Sequence, residues 1–298
     1  MRAWQAAAHG EPRDVLELLE LPEPKPGAGQ LLVRVRATAL NFPDVLLCRG
    51  TYQVRPPLPF TPGVELCGEV VAAGDGVTGV SAGDRVIGVP ALPHGSLAGL
   101  AVMDAVDAFS APAGLDDAAA ASMHIAYQTG WFALHRRARL QSGETLLVQA
   151  GAGGVGSAAI QLGKAAGARV IAVVGGPDKV KVAVGLGADA VIDRTEQDFV
   201  AAVKDLTGGR GANVVFDPVG GDAYTGSTRC VAFEGRIVVV GFAGGTIQEP
   251  ALSHVLIKNY SILGLHWGLY KRYHPDAIRT AHEQLGSLVA AGTIAPLI

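Results

Sequence analysis

An α/β fold, in which a doubly wound parallel sheet follows a smaller β-rich domain, is predicted by three observations. Residues 145–167, TLLVQAGAGGVGSAAIQLGKAAG, read as a buried strand, a glycine turn and an amphipathic helix. Beyond Met123, continuous apolar runs such as Val214-Val215-Phe216 and Ile237-Val238-Val239-Val240 alternate with helical stretches, as parallel strands covered on both faces require. Before that point, short alternating runs are broken by glycine and proline, which is the pattern of a small β domain, a partly open barrel.

Taken in order, Leu32-Val33-Arg34-Val35-Arg36 and Gly68–Gly76 supply the strand signals of the first half. In the second half, strands are expected at Leu146–Val148 and Arg169–Val174, then at the two apolar runs already quoted, as far as about Gly264. Helices are expected at Asp178–Leu186, Glu196–Leu206 and Asp222–Ala232, with Gly187, Gly208 and Gly235 placed to stop them, and a last one around Ala277–Ala291. There is no internal repeat and no low-complexity linker.

The turn spells G-x-G-x-x-G with Gly151, Gly153 and Gly156. The first glycine allows the sharp turn, the second lets backbone approach a pyrophosphate and the third lets helix pack on strand. Val155, Ala158, Ala159, Leu162 and Ala166 then fall on one helical face, so the motif sits in the strand–turn–helix context that gives it meaning as a dinucleotide site. Unpaired N–H groups at the helix start favour the anion without a basic side chain.

The next strand decides between the two nicotinamide coenzymes, because a carboxylate at its end holds the ribose hydroxyls of NAD. Here the strand ends in Gly175-Gly176-Pro177-Asp178-Lys179, so a 2′-phosphate meets no repulsion at Gly175, and Lys179, Lys181 or Arg194 can supply positive charge. NADP(H) is therefore the expected cofactor. The competing reading has Asp178 capping the next helix and Lys179 solvated; an Asp178 turned toward the ribose would favour NAD.

Composition excludes several classes. With 298 residues, 49% of them hydrophobic, the chain can fill two cores. Its formal charge of −3, with Arg136-Arg137-Ala138-Arg139 as the only short basic cluster, gives no sign of a nucleic-acid or membrane surface. Cys48, Cys67 and Cys230 are too far apart for a zinc lobe or a disulfide framework and read as buried thiols. No signal-peptide core or membrane-length apolar run is present, so a cytoplasmic location is expected.

Several further segments carry a resemblance: Ala39–Asp44, Pro59–Glu65, Gly83-Asp84-Arg85-Val86, the glycine turn, Leu186–Asp189 and Phe216–Gly221. Together they resemble the zinc-free quinone oxidoreductase branch of the medium-chain dehydrogenase/reductase superfamily. The resemblance implies a GroES-like, partly open β-barrel catalytic domain at 1–122, completed by 265–298, and a Rossmann domain at 123–264. In zinc-dependent relatives the position of Asn41 resembles a cysteine ligand and that of Val64 a histidine ligand; neither residue here holds a metal, and no histidine shows ligand spacing with a second donor. Gly95–Leu100 departs from the family by lacking an aromatic, and relatives continue past Ile298 with a helix and a closing strand, so a shortened chain and an omitted tail are both open expectations.

Removing hydride from an unactivated alcohol needs the metal as Lewis acid, whereas a quinone or conjugated enone spreads arriving charge over its own π-system. The expected activity is thus NADPH-dependent reduction of quinones or enones. The runner-up is reduction of enoyl thioesters or alkenals, and from another class a non-catalytic NADPH-binding sensor or structural protein. The resemblance implies that Asn41 lies by the nicotinamide ribose or the substrate oxygen, and that Tyr52 lines the substrate cleft, able to donate a hydrogen bond or proton. A turn asparagine and a loop-packing tyrosine are the alternatives. Asp44 is expected to order its loop through backbone hydrogen bonds. The cofactor set implied comprises Asn41, Tyr127, Thr129, Gly151, Gly153, Gly154, Val155, Gly156, Gly175, Lys179, Arg194, Val219, Gly241, Phe242, Ala243, Leu265, His266 and Trp267; core packing explains Tyr127 and Thr129 equally well. Family members pair as dimers through the nucleotide domain, so a homodimer is expected, to which His266 and Trp267 are alternative contributors.

Overall fold

The computed structural model describes residues 1–298 and divides them into two compact units, Met1–Ile125 with Ala295–Ile298, and Ala126–Ile294. In the first unit, strands β1 (Arg2–Ala6) and β2 (Leu16–Glu20) form an antiparallel pair. Strands β3 (Gln30–Thr38), β4 (Leu66–Ala73), β5 (Arg85–Gly88), β6 (Leu100–Asp104) and β7 (Ala108–Ser110) form an antiparallel sheet in the order β6-β3-β4-β5-β7, whose end strands do not pair with each other. The two-residue period sorts its side chains: Leu31, Val33, Ala101 and Met103 enter a core with Leu66, Val70 and Val86, while the intervening Leu32, Leu100 and Val102 pack on the opposite face. Irregularities in the β3–β4 register, at Leu32/Val33 and Val35/Ala37, bend this sheet, so the expected open barrel wall is a curved five-stranded sheet.

The second unit is built on six parallel strands, β8 (Thr145–Gln149), β9 (Arg169–Val174), β10 (Ala190–Asp193), β11 (Ala212–Asp217), β12 (Val231–Val239) and β13 (Ser261–Gly264). Their order, β10-β9-β8-β11-β12-β13, reverses direction between β8 and β11. That reversal opens a crevice outside the carboxyl ends of the strands. The apolar runs that specified the strands, including Leu146–Val148, Val170–Val174 and Val214–Phe216, are buried, as burial on both faces requires.

Three boundaries differ from the sequence expectation, each for a local reason. The helix expected from Glu196 starts at Phe199, because Asp198 caps it by accepting from Val200 N. The helix expected to reach Ala232 ends at Cys230, since β-branched Val231 already pairs with Ala212 as the first residue of β12. Gly235 lies inside β12, next to Glu234 at φ 55°, where the β11–β12 register shifts, and so marks a bulge, not a helix stop. Residues 265–294, assigned from sequence to the first domain, cluster with the second unit, and the division falls at 125/126 instead of 122/123. The helix Pro275–Ala290 is tied there: Gln128 Nε2 donates to Ile278 O and Trp131 Nε1 to Gln284 Oε1.

Candidate active site

In the first unit, Asn41 stands at the start of the helix Phe42–Arg49. Asp44 is buried and fastens two segments through three bonds. Its Oδ2 accepts from Asn41 N at 2.8 Å, and its Oδ1 accepts from Gly63 N at 2.9 Å and Val64 N at 3.1 Å. This is the loop-ordering arrangement expected of Asp44. Burial pushes its carboxyl above the ordinary range, and the three N–H donors oppose the rise.

The side chain of Asn41 is itself held. Its Nδ2 donates to Glu65 Oε2 at 2.8 Å and to Ala39 O at 3.3 Å, so the amide plane is fixed with Oδ1 as its acceptor end. Glu65 is 1% exposed; its other oxygen accepts from Ile125 N at 2.7 Å. Burial pushes Glu65 up to about 8, opposed by the donors Asn41 and Ile125 and reinforced by neighbouring Asp44. Its carbonyl accepts from Thr38 Oγ1 and Ser96 Oγ, so backbone and side chain are both fixed. Glu65 was quoted in the sequence only as part of a motif, and its grip on Asn41 was not anticipated. Tyr52 is half-buried against Ala6, Leu47 and Phe60, and burial, aided by Asp44, raises its hydroxyl pKa.

The metal of zinc-dependent relatives has no fit here. Val64 offers no donor atom, the Asn41 amide is committed to Glu65, and no three His, Cys, Asp or Glu side chains cluster as ligands.

In the second unit, the expected coenzyme residues gather at the carboxyl ends of the strands. After β8, an added Cβ at Gly156 would lie 2.2 Å from Ala150 O, so helix and turn approach as only glycine permits. At Gly153 it would meet only Ala150 O at 3.3 Å, and at Gly154 no protein atom within 4 Å, so the turn presents bare backbone to open space. The first-turn amides of Gly154 and Val155, in the helix Gly154–Ala165, border that cradle, which suits a pyrophosphate.

After β9, a Cβ at Gly175 would lie 3.2–3.4 Å from the guanidinium of Arg194, which follows β10. The two are neighbours because β10 runs beside β9 with Asp193 opposite Val174. Asp193 shapes the place: its Oδ1 accepts from Gly176 N, Thr195 N and Thr195 Oγ1. Lys179 lies exposed on the helix Pro177–Gly185, and Asp178 pairs with Lys181 at 3.2 Å instead of capping that helix. Beyond β11, Asp217 Oδ1 accepts from Val219 N and Gly220 N, and Gly244 N donates to Val219 O. Gly241, Phe242 and Ala243 follow β12, with Ala243 N donating to Pro218 O; Leu265, His266 and Trp267 follow β13, with Leu265 N donating to Val239 O. Tyr127 is buried, its hydroxyl accepting from Gln161 Nε2 at 2.8 Å, and Thr129 is buried too.

A doubly wound sheet with a glycine cradle, joined to a curved antiparallel sheet, defines an oxidoreductase of the medium-chain dehydrogenase/reductase class. Residues 27–113 match the family described as alcohol dehydrogenase GroES-like domain, and residues 154–283 the family described as zinc-binding dehydrogenase. The chain is 41% identical over 276 residues to quinone oxidoreductase-like protein 2 of Rattus norvegicus, covering 92% of this chain and 78% of that protein. It superposes on the Escherichia coli quinone oxidoreductase complexed with NADPH with a TM-score of 0.91 at 31% identity, covering 99% of this chain and 89% of the other. The CurK enoyl reductase superposes with a TM-score of 0.87 at 26% identity, over 100% of this chain and 90% of that one. The chain belongs to the quinone oxidoreductase branch of the medium-chain superfamily.

Proposed function

We propose that this protein reduces quinones or conjugated enones with NADPH and without a metal ion. The observation that carries the coenzyme choice is the Arg194 guanidinium against Gly175, where an NAD-selective site would place a carboxylate. Similarity to an NADPH-complexed quinone oxidoreductase supports the same reading.

When bound, the reduced nicotinamide supplies the hydride. The remaining work belongs to the protein. Gly153 and Gly154 with the first-turn amides would hold the pyrophosphate, and Arg194, with exposed Lys179 adding positive charge, would hold the 2′-phosphate. Asn41, anchored by Glu65 through Nδ2, offers Oδ1 to a ribose hydroxyl. Val219, Gly241–Ala243 and Leu265–Trp267 form the walls at the strand ends, and Tyr127 and Thr129 support them from the core. Tyr52, kept protonated by its burial, donates to the oxygen that gains negative charge.

The test is NADPH consumption with a panel of quinones, enones and enoyl thioesters, alongside direct binding of NADPH and NADH. Turnover with quinones or enones and tighter NADPH binding support the reading; tighter NADH binding overturns the coenzyme assignment. Enoyl-thioester reduction is the second reading, favoured by the CurK likeness and by 35% identity over 280 residues to phthioceranic/hydroxyphthioceranic acid synthase of Mycobacterium tuberculosis, of which that stretch is 13%. Thioester turnover well above quinone turnover would select it. We also propose a homodimer: β13 is an unpaired sheet edge in the second unit, and Ile247, Leu252, Leu256 and Ile257, each 72–77% exposed, lie in the segment before it. The protein has no helix long and apolar enough to cross a membrane, and its partners in this reading are small molecules in the cytoplasm.

A further inference from the structure

The basic cluster Arg136-Arg137-Ala138-Arg139 is absorbed by no step above, and it opens onto a pocket of about 660 Å³. Arg136, Arg137, Arg139, Tyr270 and Tyr273 are among its lining, which holds not a single carboxylate. The local helix geometry produces this. The helix His124–Trp131 widens into a π-helical stretch, Phe132–Arg137, where Ala138 N reaches back to Ala133 O, and the chain then turns through Arg139 at φ 52°. All three arginines are exposed, and none is in an ion pair.

Two of the guanidiniums are already oriented. Arg136 lies 5.4 Å over the ring of Tyr270, which in turn packs on Phe132 at 4.2 Å, and Arg137 Nε donates to Gly264 O at 3.0 Å. Arg137 therefore keeps its terminal nitrogens for another acceptor. Glu144, the nearby carboxylate on the same chain turn, is taken by Arg236 through two bonds of 2.7 and 2.8 Å and cannot neutralise the cluster. Three cations set side by side in a concave wall repel one another unless an anion joins them, and concave walls focus their field.

We infer that this pocket binds a small, multiply charged organic phosphate through its arginines, a ligand other than the coenzyme, although Leu265 and His266 border both places. Forked guanidiniums match phosphate oxygens in pairs, and Tyr270 and Tyr273 give a flat group something to stack on. A lone monophosphate engages too few of the three arginines, so affinity rises with the number of phosphates.

The experiment titrates the full-length protein at low ionic strength with inorganic phosphate, tripolyphosphate and ATP by calorimetry, with and without saturating NADPH. The expected result is an affinity order of phosphate below tripolyphosphate and ATP, unchanged by NADPH, with ATP exceeding tripolyphosphate if the tyrosines stack. Arg136→Gln with Arg139→Gln weakens ATP binding by about tenfold or more while leaving NADPH binding as it was. Absence of tripolyphosphate and ATP binding overturns the inference, as does binding abolished by NADPH or indifferent to the double variant. If that variant does not fold, Arg136→Gln alone and the NADPH competition in the unaltered protein still decide. Because NADPH turnover is scored separately, failure here is distinguishable from failure of the proposed activity.

Discussion

Arg194 and Glu65 carry the sharpest expectations at the level of single residues. Arg194→Ala removes charge-assisted hydrogen bonds of about 1.5–3 kcal/mol, so the Kd for NADPH rises about 10- to 100-fold while that for NADH changes little, measured by fluorescence titration. Glu65 binds its proton more tightly folded than unfolded, because its pKa is raised from the ordinary carboxylate value to about 8. Between about pH 4.5 and 8 the native state therefore holds more protons than the unfolded state, and stability from this group is full below that window and lost as pH rises through it. Glu65→Gln carries no such titration, so thermal melts of the two proteins diverge in slope over that window. Tyr52→Phe lowers turnover across acceptors if its hydroxyl donates the proton; unchanged kcat across the panel removes it from the mechanism. Among the proposed site residues, Arg194 was singled out from the end of its strand, whereas Asn41 and Tyr52 were singled out through the family resemblance. Glu65 and Asp193 act through partners 24 and 17 residues away, pairings that only strand register creates.

The glycine turn makes a claim about a whole strand–turn–helix element. Gly156→Ala would drive a Cβ to 2.2 Å from Ala150 O, with backbone on both sides and no flexible side chain to yield. A loss of about 1–3 kcal/mol or more is expected, read as a lower melting temperature and poor coenzyme binding together. Gly154→Ala meets no protein atom, so its melting temperature stays the same or rises, since alanine restricts the unfolded chain. Strand positions were readable in advance because burial on both faces demands continuous apolar runs, as Val214–Phe216 show. Helix ends were less readable: Val231 belongs to β12 by its pairing with Ala212, a fact of tertiary register that a helical period running through Ala232 conceals. Tyr127 is similar, since its bond to Gln161 joins two helices whose packing no spacing rule reports.

For the molecule as a whole, the edge strand β13 bears on assembly. Leu256→Glu together with Leu252→Glu places charge on apolar positions that are 77% and 74% exposed, so folding is spared while a dimer formed through this face is lost. Light scattering should then report monomer mass for the variant and twice that for the unaltered chain; equal masses would remove this face from the assembly. The succession of a β-rich half and a doubly wound half was visible in the sequence, whereas the strand orders within the two sheets and the division at 125/126 were not. Helix Pro275–Ala290 reads as an ordinary amphipathic segment, and only its bonds to Gln128 and Trp131 reveal which core it joins.

The narrow gap between Gly175 and Arg194 also makes coenzyme preference unusually easy to reverse. A carboxylate introduced by Gly175→Asp would do two things at once, offering an acceptor to ribose hydroxyls and drawing the neighbouring guanidinium into an internal pair that can no longer greet a phosphate. The replacement lies at the adenosine end, remote along the coenzyme from the ring that reacts. Lineages built on this scaffold can thus trade one cellular pool of reducing equivalents for the other without rebuilding the chemistry.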